Sequence, residues 1–526
     1  MHKKAVSVIL LVLLAGVGVI GEFWHPFWWL FLVVGALVLL AIYDLTQTRH
    51  TILRNYPIFG HLRYAFEDIH TQIRQYFIEG DMEGLPFARE QRDMVYERAK
   101  NEGLVHPFGT IENVYRTGYE WINHSVTARW PEQEEPRVKV GGSQCTRPYL
   151  ASHFNISAMS FGSLSGNAIE ALNTGAKIGG FAHDTGEGGI SRYHLEPGGD
   201  LIWELGTGYF GCRAKDGRFD PVQYKDHAQL DNVKMIAIKL SQGAKPGGGG
   251  ILPAAKVTRM IAEARGVPMG KDVDSPPYHS AFSTPREMLD WVQQLRELSG
   301  GKPVGFKLCL GRPDQFMAIV KAMLETNILV DFITVDGGEG GTGAAPQELS
   351  DFMGTPLLDA LVFVHNALVG ADLRREIRIM ASGKIISGFD VAAKIAMGAD
   401  MCNSARGMMF ALGCIQARRC HTNTCPSGVA TQDPWRAQGL VVADKARRVA
   451  NYHRNTIRHF MWVLAAAGLR NPDELRPDLL NRRVSLTEIR NYRELYPYLQ
   501  TGDLLSGKAP AFYMKPWLAA RSETFA

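Results

Sequence analysis

Strong charge of either sign is missing from this sequence. Its 57 lysines and arginines nearly balance 53 aspartates and glutamates, leaving a formal +4 over 526 residues. That balance gives no reason to expect nucleic acid as the main partner. Cysteine is scarce. Seven, an odd number in a long chain, argue against a secreted disulfide scaffold. No G-x-G-x-x-G stands between an apolar strand and a helix, which weakens the case for an open dinucleotide-binding sheet. Long apolar runs are confined to the first fifty residues. What is abundant is glycine. Many of its 54 copies cluster beside apolar runs, a pattern of backbone approaching ligands more than of linkers. With 46% hydrophobic and 21% charged residues the composition is globular. The length fits roughly two to four structural units.

Residues 5–20 and 27–43 are almost wholly apolar, about the shortest runs that cross a bilayer. Trp24, Trp28, Trp29 and Tyr43 suit interface anchors. Lys3 and Lys4 precede the first run and Arg49, His50 and Arg54 follow the second, while the turn between them has no Lys or Arg. The positive-inside rule therefore predicts a transmembrane helical hairpin with both ends in the cytoplasm. That places the protein in the inner, cytoplasmic membrane with its catalytic domain facing the cytoplasm. A cleaved signal peptide is the alternative. No A-x-A site follows Ile20, and a second apolar run comes at once.

The expected organisation is a hairpin over 1–50, a helical connector over 51–140, an α/β barrel over 141–435 and a helical extension over 436–526. Eight short apolar strands are predicted at 155–158, 180–183, 201–205, 235–240, 304–309, 332–335, 377–381 and 400–403. Helical stretches are legible at 165–178, 285–298, 315–326 and 388–397; residues 206–231 show no clear helix. Eight strands over about 250 residues fit a (β/α)8 TIM barrel, with an open doubly wound sheet as runner-up. Function is then expected on the loops after the strands.

Strand seven runs into Ser382-Gly383-Lys384 and strand eight into Ala405-Arg406-Gly407. Small residues there free backbone N–H groups to approach an anion, and Arg406 adds a charge, so phosphate is the expected ligand; tight turns alone are the plainer reading. Glycine clusters follow other strands, and Lys239, Lys245 and Lys307 sit in or just after strands four and five. Three such lysines point to a shared anionic site, although a lysine at a strand end more often just reaches solvent. Cys414, Cys420 and Cys425 read C-x5-C-x4-C. Four thiolates complete a zinc or four-iron site, so three suggest a three-iron cluster, an open site or incidental buried thiols.

Several blocks then become recognisable in order. They are Ser157-Ala158-Met159-Ser160-Phe161-Gly162-Ser163, Thr185-Gly186-Glu187-Gly188-Gly189, Gln242-Gly243-Ala244-Lys245-Pro246-Gly247, Gly340-Gly341-Thr342-Gly343-Ala344, and the cysteine block from Cys414 through Cys420-His421-Thr422-Asn423-Thr424-Cys425-Pro426. Together they resemble the FMN-binding synthase domain of glutamate synthases over about residues 140–435. The resemblance implies FMN held by Ala158, Met159, Ser160, Lys239, Lys307, Gly341, Ser382, Gly383, Lys384, Ala405, Arg406 and Gly407. It implies a [3Fe–4S] cluster on Cys414, Cys420 and Cys425. It also implies catalytic roles for Lys245, Glu187 and Gln242, with 2-oxoglutarate and ammonia condensing to 2-iminoglutarate, which reduced FMN converts to L-glutamate. Met1-His2-Lys3 stands where glutamine-using members carry an amidotransferase domain with an N-terminal Cys. Gly248 replaces an acid of the family pattern, which puts the substrate and nitrogen donor in question. Electrons are expected from ferredoxin or a partner reductase docking near the cysteines. The alternatives are reductive amination with another amine or keto acid, as in N-alkylglutamate synthesis, and a non-catalytic electron-transfer subunit of a membrane complex. Oxidation of a hydroxy acid requires a histidine base, for which His183 and His194 are the candidates.

Overall fold

A computed structural model describes every residue except 1, 2, 104 and 106. The chain divides into two units, 1–89 and 90–526.

The first unit opens with two apolar helices, α1 (Lys3–Phe23) and α2 (Leu30–Thr46), joined by the turn His25–Trp29. His25–Thr46 is long and apolar enough to cross a bilayer; the apolar stretch Val8–Phe23 of α1 is shorter. Val6 and Leu10 pack on Ala41, so the two helices touch along one side. Most of their remaining leucines, valines and aromatics are exposed. Helix α3 (Gly60–Ile73) follows and ends in a wider π-type turn, Arg74–Ile78.

The second unit holds a closed barrel of eight parallel strands. They are β1 (Phe154–Ile156), β2 (His183–Asp184), β3 (Leu201–Leu205), β4 (Val233–Lys239), β5 (Val304–Leu308), β6 (Phe332–Asp336), β7 (Arg378–Ser382) and β8 (Met401–Ser404). Each lies on or beside one of the eight predicted apolar runs. Closure by β8 against β1, with Cys402 opposite Phe154 and Asn403 opposite Asn155, rules out the open sheet. The strands are buried on both faces, which is why they read as continuous apolar runs.

Helix ends follow the local chemistry. Ser165 Oγ accepts from Ala168 N to start α4 (Gly166–Gly179), and left-handed Gly180 stops it. Thr284 and Glu287 form a capping box on Pro285–Leu298, and Ser387 and Asp390 form one on Gly388–Ala396. Within residues 206–231, where the sequence shows no clear helix, one forms at Pro221–Ala228, started by Asp220, whose Oδ1 accepts from Val222 N at 2.9 Å. Eight mostly polar residues carry too little periodicity to announce it, and only the Asp-Pro start marks it.

A short antiparallel hairpin, Val138–Val140 with Tyr149–Ala151, closes the bottom of the barrel. Val140, Tyr149 and Ala151 pack there on Ala182, Ile202, Met235, Ala237, Phe332, Met380 and Met401. The long C-terminal helix Val442–Ala466 lies against α4; on its inner side His453 stacks on Phe181 at 3.8 Å and Tyr452 meets Phe154 edge-on. Within residues 101–140 the described backbone is mostly irregular, and Glu120–Ile122 pairs with Leu480–Arg483.

Candidate active site

Above its apolar floor the barrel interior is charged. Strand side chains alternate between inside and outside, so residues two beyond Ala182, Ile202 and Ala237 also point inward. These are Asp184, Glu204 and Lys239, and Lys307 joins them from β5; all four are buried. Lys307 Nζ pairs with Glu204 Oε2. Lys239 Nζ lies 2.9 Å from Oε2 of Glu187, on the loop after β2. Burial works to raise the Glu187 carboxyl, but Lys239, Lys245 and Arg265 overcome it and hold the pKa at about 2. Asp184 goes the other way, pushed up by burial and by Glu204. The mouth thus keeps one carboxylate firmly ionised beside one drawn toward its protonated form.

Glu187 reaches this position through a gap that only glycines leave. A Cβ on Gly206 would stand 2.7 Å from Glu187 Cβ, and one on Gly250 would stand 2.6 Å from Oε1. Lys245, on the loop after β4, is buried. Its pKa is drawn below the ordinary lysine value by burial, with Glu187 opposing and Lys239 adding to the fall. Gln242 is half-buried at the rim, its Nε2 3.4 Å from Thr342 Oγ1 on the loop after β6.

Arg265 is a site residue that the sequence did not reveal. It sits on the short helix Arg259–Arg265 with no motif around it. Its guanidinium lies 5.0 Å from the Phe210 ring centre, and Nη2 donates to Phe161 O at 3.1 Å and approaches Ser160 Oγ at 3.4 Å. Burial lowers its pKa to about 10, with Glu187 opposing. Glu204 did leave a signal, an acid inside the apolar strand Leu201–Leu205.

At the ends of β7 and β8 small residues meet two basic ones. Ser382 Oγ is 3.2 Å from Ser157 Oγ, beside Ala158 and Met159. Lys384 is left-handed (φ 51°), and its pKa is lowered by burial and by Arg406, with Glu339 opposing. Arg406 is itself lowered to about 10 by burial, and its Nη2 donates to Glu339 O at 2.7 Å. A Cβ on Gly341 would stand 2.8 Å from Arg406 Nε, so a bare backbone is needed there. Gly383, Ala405 and Gly407 complete the small-residue rim.

The three cysteines lie on one loop whose backbone turns left-handed at Gln416, Arg418 and Asn423. Burial raises the Cys414 thiol to about 12, and Cys420 and Cys425 add to the rise. Lys256 donates to Ser163 O at 2.7 Å and feels both Cys420 and Cys425. Among the described residues, no three His, Cys, Asp or Glu side chains stand close enough to hold a metal ion. His183, next to inward-facing Asp184, points outward. It lies 5.3 Å from the buried His194 ring, away from the mouth.

Residues 124–470 match the pattern described as a conserved region in glutamate synthase. The chain belongs to the glutamate synthase family. By that membership it is an oxidoreductase acting on CH–NH2 donors. It is 38% identical over 475 residues to the glutamate synthase large subunit-like protein YerD of Bacillus subtilis (strain 168), covering 82% of this chain and 89% of that one. It is 32% identical to an archaeal glutamate synthase [NADPH] of Methanocaldococcus jannaschii, covering 68% of this chain and 66% of that protein. An archaeal-type glutamate synthase [NADPH] of Thermotoga neapolitana is 34% identical over 61% of this chain and 60% of its own length. The chain therefore spans nearly all of the first relative, and about two thirds or less of the other two.

Glu187 carries a measurable pH signature. Its folded pKa lies below the ordinary carboxylate value, so its stabilisation is complete above about pH 4.5 and is lost as pH falls toward 2. Glu187→Gln is expected to cost on the order of 3 kcal/mol near neutral pH, because the folded carboxyl is held at about 2. Denaturant titrations should show that gap closing below about pH 3. A gap that stays constant with pH would mean that the carboxylate is not held down.

Proposed function

We propose that this chain is a membrane-tethered glutamate synthase that reduces 2-iminoglutarate, formed from 2-oxoglutarate and ammonia, to L-glutamate. The observation that carries this reading is the charge balance at the barrel mouth. Lys239, Lys245 and Arg265 surround one ionised carboxylate, Glu187. Among these four groups two positive charges are in surplus, with Asp274 acting more weakly on Lys245, and a dicarboxylate is the complement.

The cradle fits a flavin phosphate, because Lys384 and Arg406 oppose each other there and an anion would relieve both. Ser382, Gly383, Lys384, Ala405, Arg406 and Gly407 would hold the phosphate of FMN; Ala158, Met159, Ser160, Lys239 and Gly341 would border its ring. Bound there, FMN would supply the hydride, storing electrons that arrive singly.

The chain's own groups do the rest. Lys245 clamps a substrate carboxylate. With its pKa drawn down by burial, it can also give a proton as hydroxide leaves the carbinolamine carbon as water. Glu187 stays ionised, fixes Lys239 and favours the positive charge of the protonated imine. Arg265 takes a second carboxylate, and Gln242 is placed at the rim to orient the substrate. The isolated chain, given 2-oxoglutarate, ammonium and a chemical reductant, should form glutamate. No product with any amine would count against both this reading and N-alkylglutamate synthesis.

Cys414, Cys420 and Cys425 would hold a [3Fe–4S] cluster, a relay for single electrons from ferredoxin or a partner reductase. Support comes from the donor set alone, three thiols on one wound loop. Cys420→Ser is expected to remove iron and long-wavelength absorbance while yellow flavin stays. Unchanged iron content would refute the assignment. The hairpin α1–α2 is assigned to the cytoplasmic membrane on its apolar length and its flanking basic residues.

A further inference from the structure

Helix α3 carries an apolar stripe that the rest of the first unit leaves bare except at half-buried Ile73. At 3.6 residues per turn, Leu62, Phe66, Ile69 and Ile73 fall within an arc of about 60°. Leu62 is 56% exposed, Phe66 59% and Ile69 47%. Just beyond, in the π-type turn, Phe77 is 85% exposed. Such a face is unfavourable in water.

The helix is also held at a defined height. Asp44 lies in the last turn of α2 and is fully buried. Its Oδ1 is 2.8 Å from His61 Nε2, and its Oδ2 accepts from Ile58 N at 2.8 Å. His61 therefore faces α2, and α3 begins beside the end of the bilayer-crossing helix. The stripe lies roughly a third of a turn round from His61, clear of the hairpin. Residues 47–89 carry five arginines and five acids, but the first three arginines (Arg49, Arg54 and Arg63) all precede the first acid, Glu67. That basic start beside the end of α2 suits anionic headgroups on the cytoplasmic leaflet.

We infer that α3 is an interfacial helix, lying on an anionic bilayer surface with Leu62, Phe66, Ile69 and Ile73 among the upper acyl chains. The inference rests on the reading of α1–α2 as a membrane hairpin. Continuity with α2 commits the stripe to lipid, because the Asp44–His61 contact brings it to the level where headgroups begin. The hairpin then acts as an anchor and α3 as a second, amphipathic contact that limits rotation about the anchor.

Photocrosslinking tests this on the full chain, in nanodiscs of equal parts phosphatidylcholine and phosphatidylglycerol. p-Benzoylphenylalanine replaces Phe66, Thr71 (about 140° round the same helix) or Leu32 on α2, one at a time. Lipid adducts are read by mass spectrometry. The expected result is lipid adduct at 32 and at 66, with the yield at 66 several-fold above that at 71. Adduct at 32 with equal yields at 66 and 71, or with crosslinks from 66 to residues 90–526 or to a second copy, overturns the interfacial helix and leaves the hairpin standing. Absence of lipid adduct at 32 overturns the hairpin itself, and the inference falls with it.

Discussion

Lys245→Ala is expected to lower kcat/KM by about 10²–10³ while the protein keeps its flavin, the usual cost of deleting one preorganised charge at a reacting centre. Lys245 sits in a buried run of the loop after β4, with Glu187 as its largest favourable electrostatic neighbour and Lys239 opposing it. An ammonium in that position has lost water and has not found an exclusive partner, since Glu187 already touches Lys239 at 2.9 Å. Such a cation is held ready for an incoming carboxylate. Because its pKa is lowered, it also releases a proton more easily than a surface lysine. Lys245→Arg separates the two roles. Arginine keeps the charge and cannot deprotonate, so KM for 2-oxoglutarate should return toward normal while kcat stays low. The flavin cradle lies at β7 and β8, so flavin content measured on the same samples guards against simple misfolding. Near-normal turnover in Lys245→Ala would remove this residue from the mechanism.

Much of this architecture was legible because parallel barrel strands are buried on both faces. Continuous apolar runs such as Leu201–Leu205 and Val304–Leu308 announced themselves, and glycine clusters marked where strands end. The helix Pro221–Ala228 did not, because a short polar helix has no stripe to read. Within the site, Lys239, Lys245 and Glu187 were visible as motif residues at strand ends. Sequence spacing could not show that Glu187 bonds Lys239, since they come from different strands and meet only when the barrel closes. Arg265 was invisible for the same reason. Its helix carries no pattern of its own, and its role follows from packing on Phe210 and the loop after β1. Sequence position groups Lys307 with Lys239 and Lys245, yet the fold pairs it with Glu204 inside the barrel.

That commitment makes Lys307→Met the substitution with the largest expected effect on stability. The pair bridges β3 and β5 across β4, and both side chains are almost completely buried. Asp184 stands close enough to be pushed up by Glu204 and restrained by Lys307. Lys239, the other interior lysine, is already engaged by Glu187. Removing Lys307 therefore leaves two interior acids with no cation of their own. Breaking such a pair costs about 3–5 kcal/mol, mostly the penalty of the stranded charge. The sign of the pH dependence follows. Burial without a partner favours the neutral form of a carboxyl group, so the penalty of a stranded carboxylate is present at neutral pH and shrinks as pH falls. The deficit of Lys307→Met, read from chemical denaturation, should thus be smaller at pH 5 than at pH 8. Adding Glu204→Leu should recover most of it, because an apolar pair of similar volume replaces the ion pair at little net cost. The alternative assignment, Lys307 as a flavin contact, makes the opposite forecast: a shifted flavin reduction potential with little loss of stability, and no rescue by Glu204→Leu.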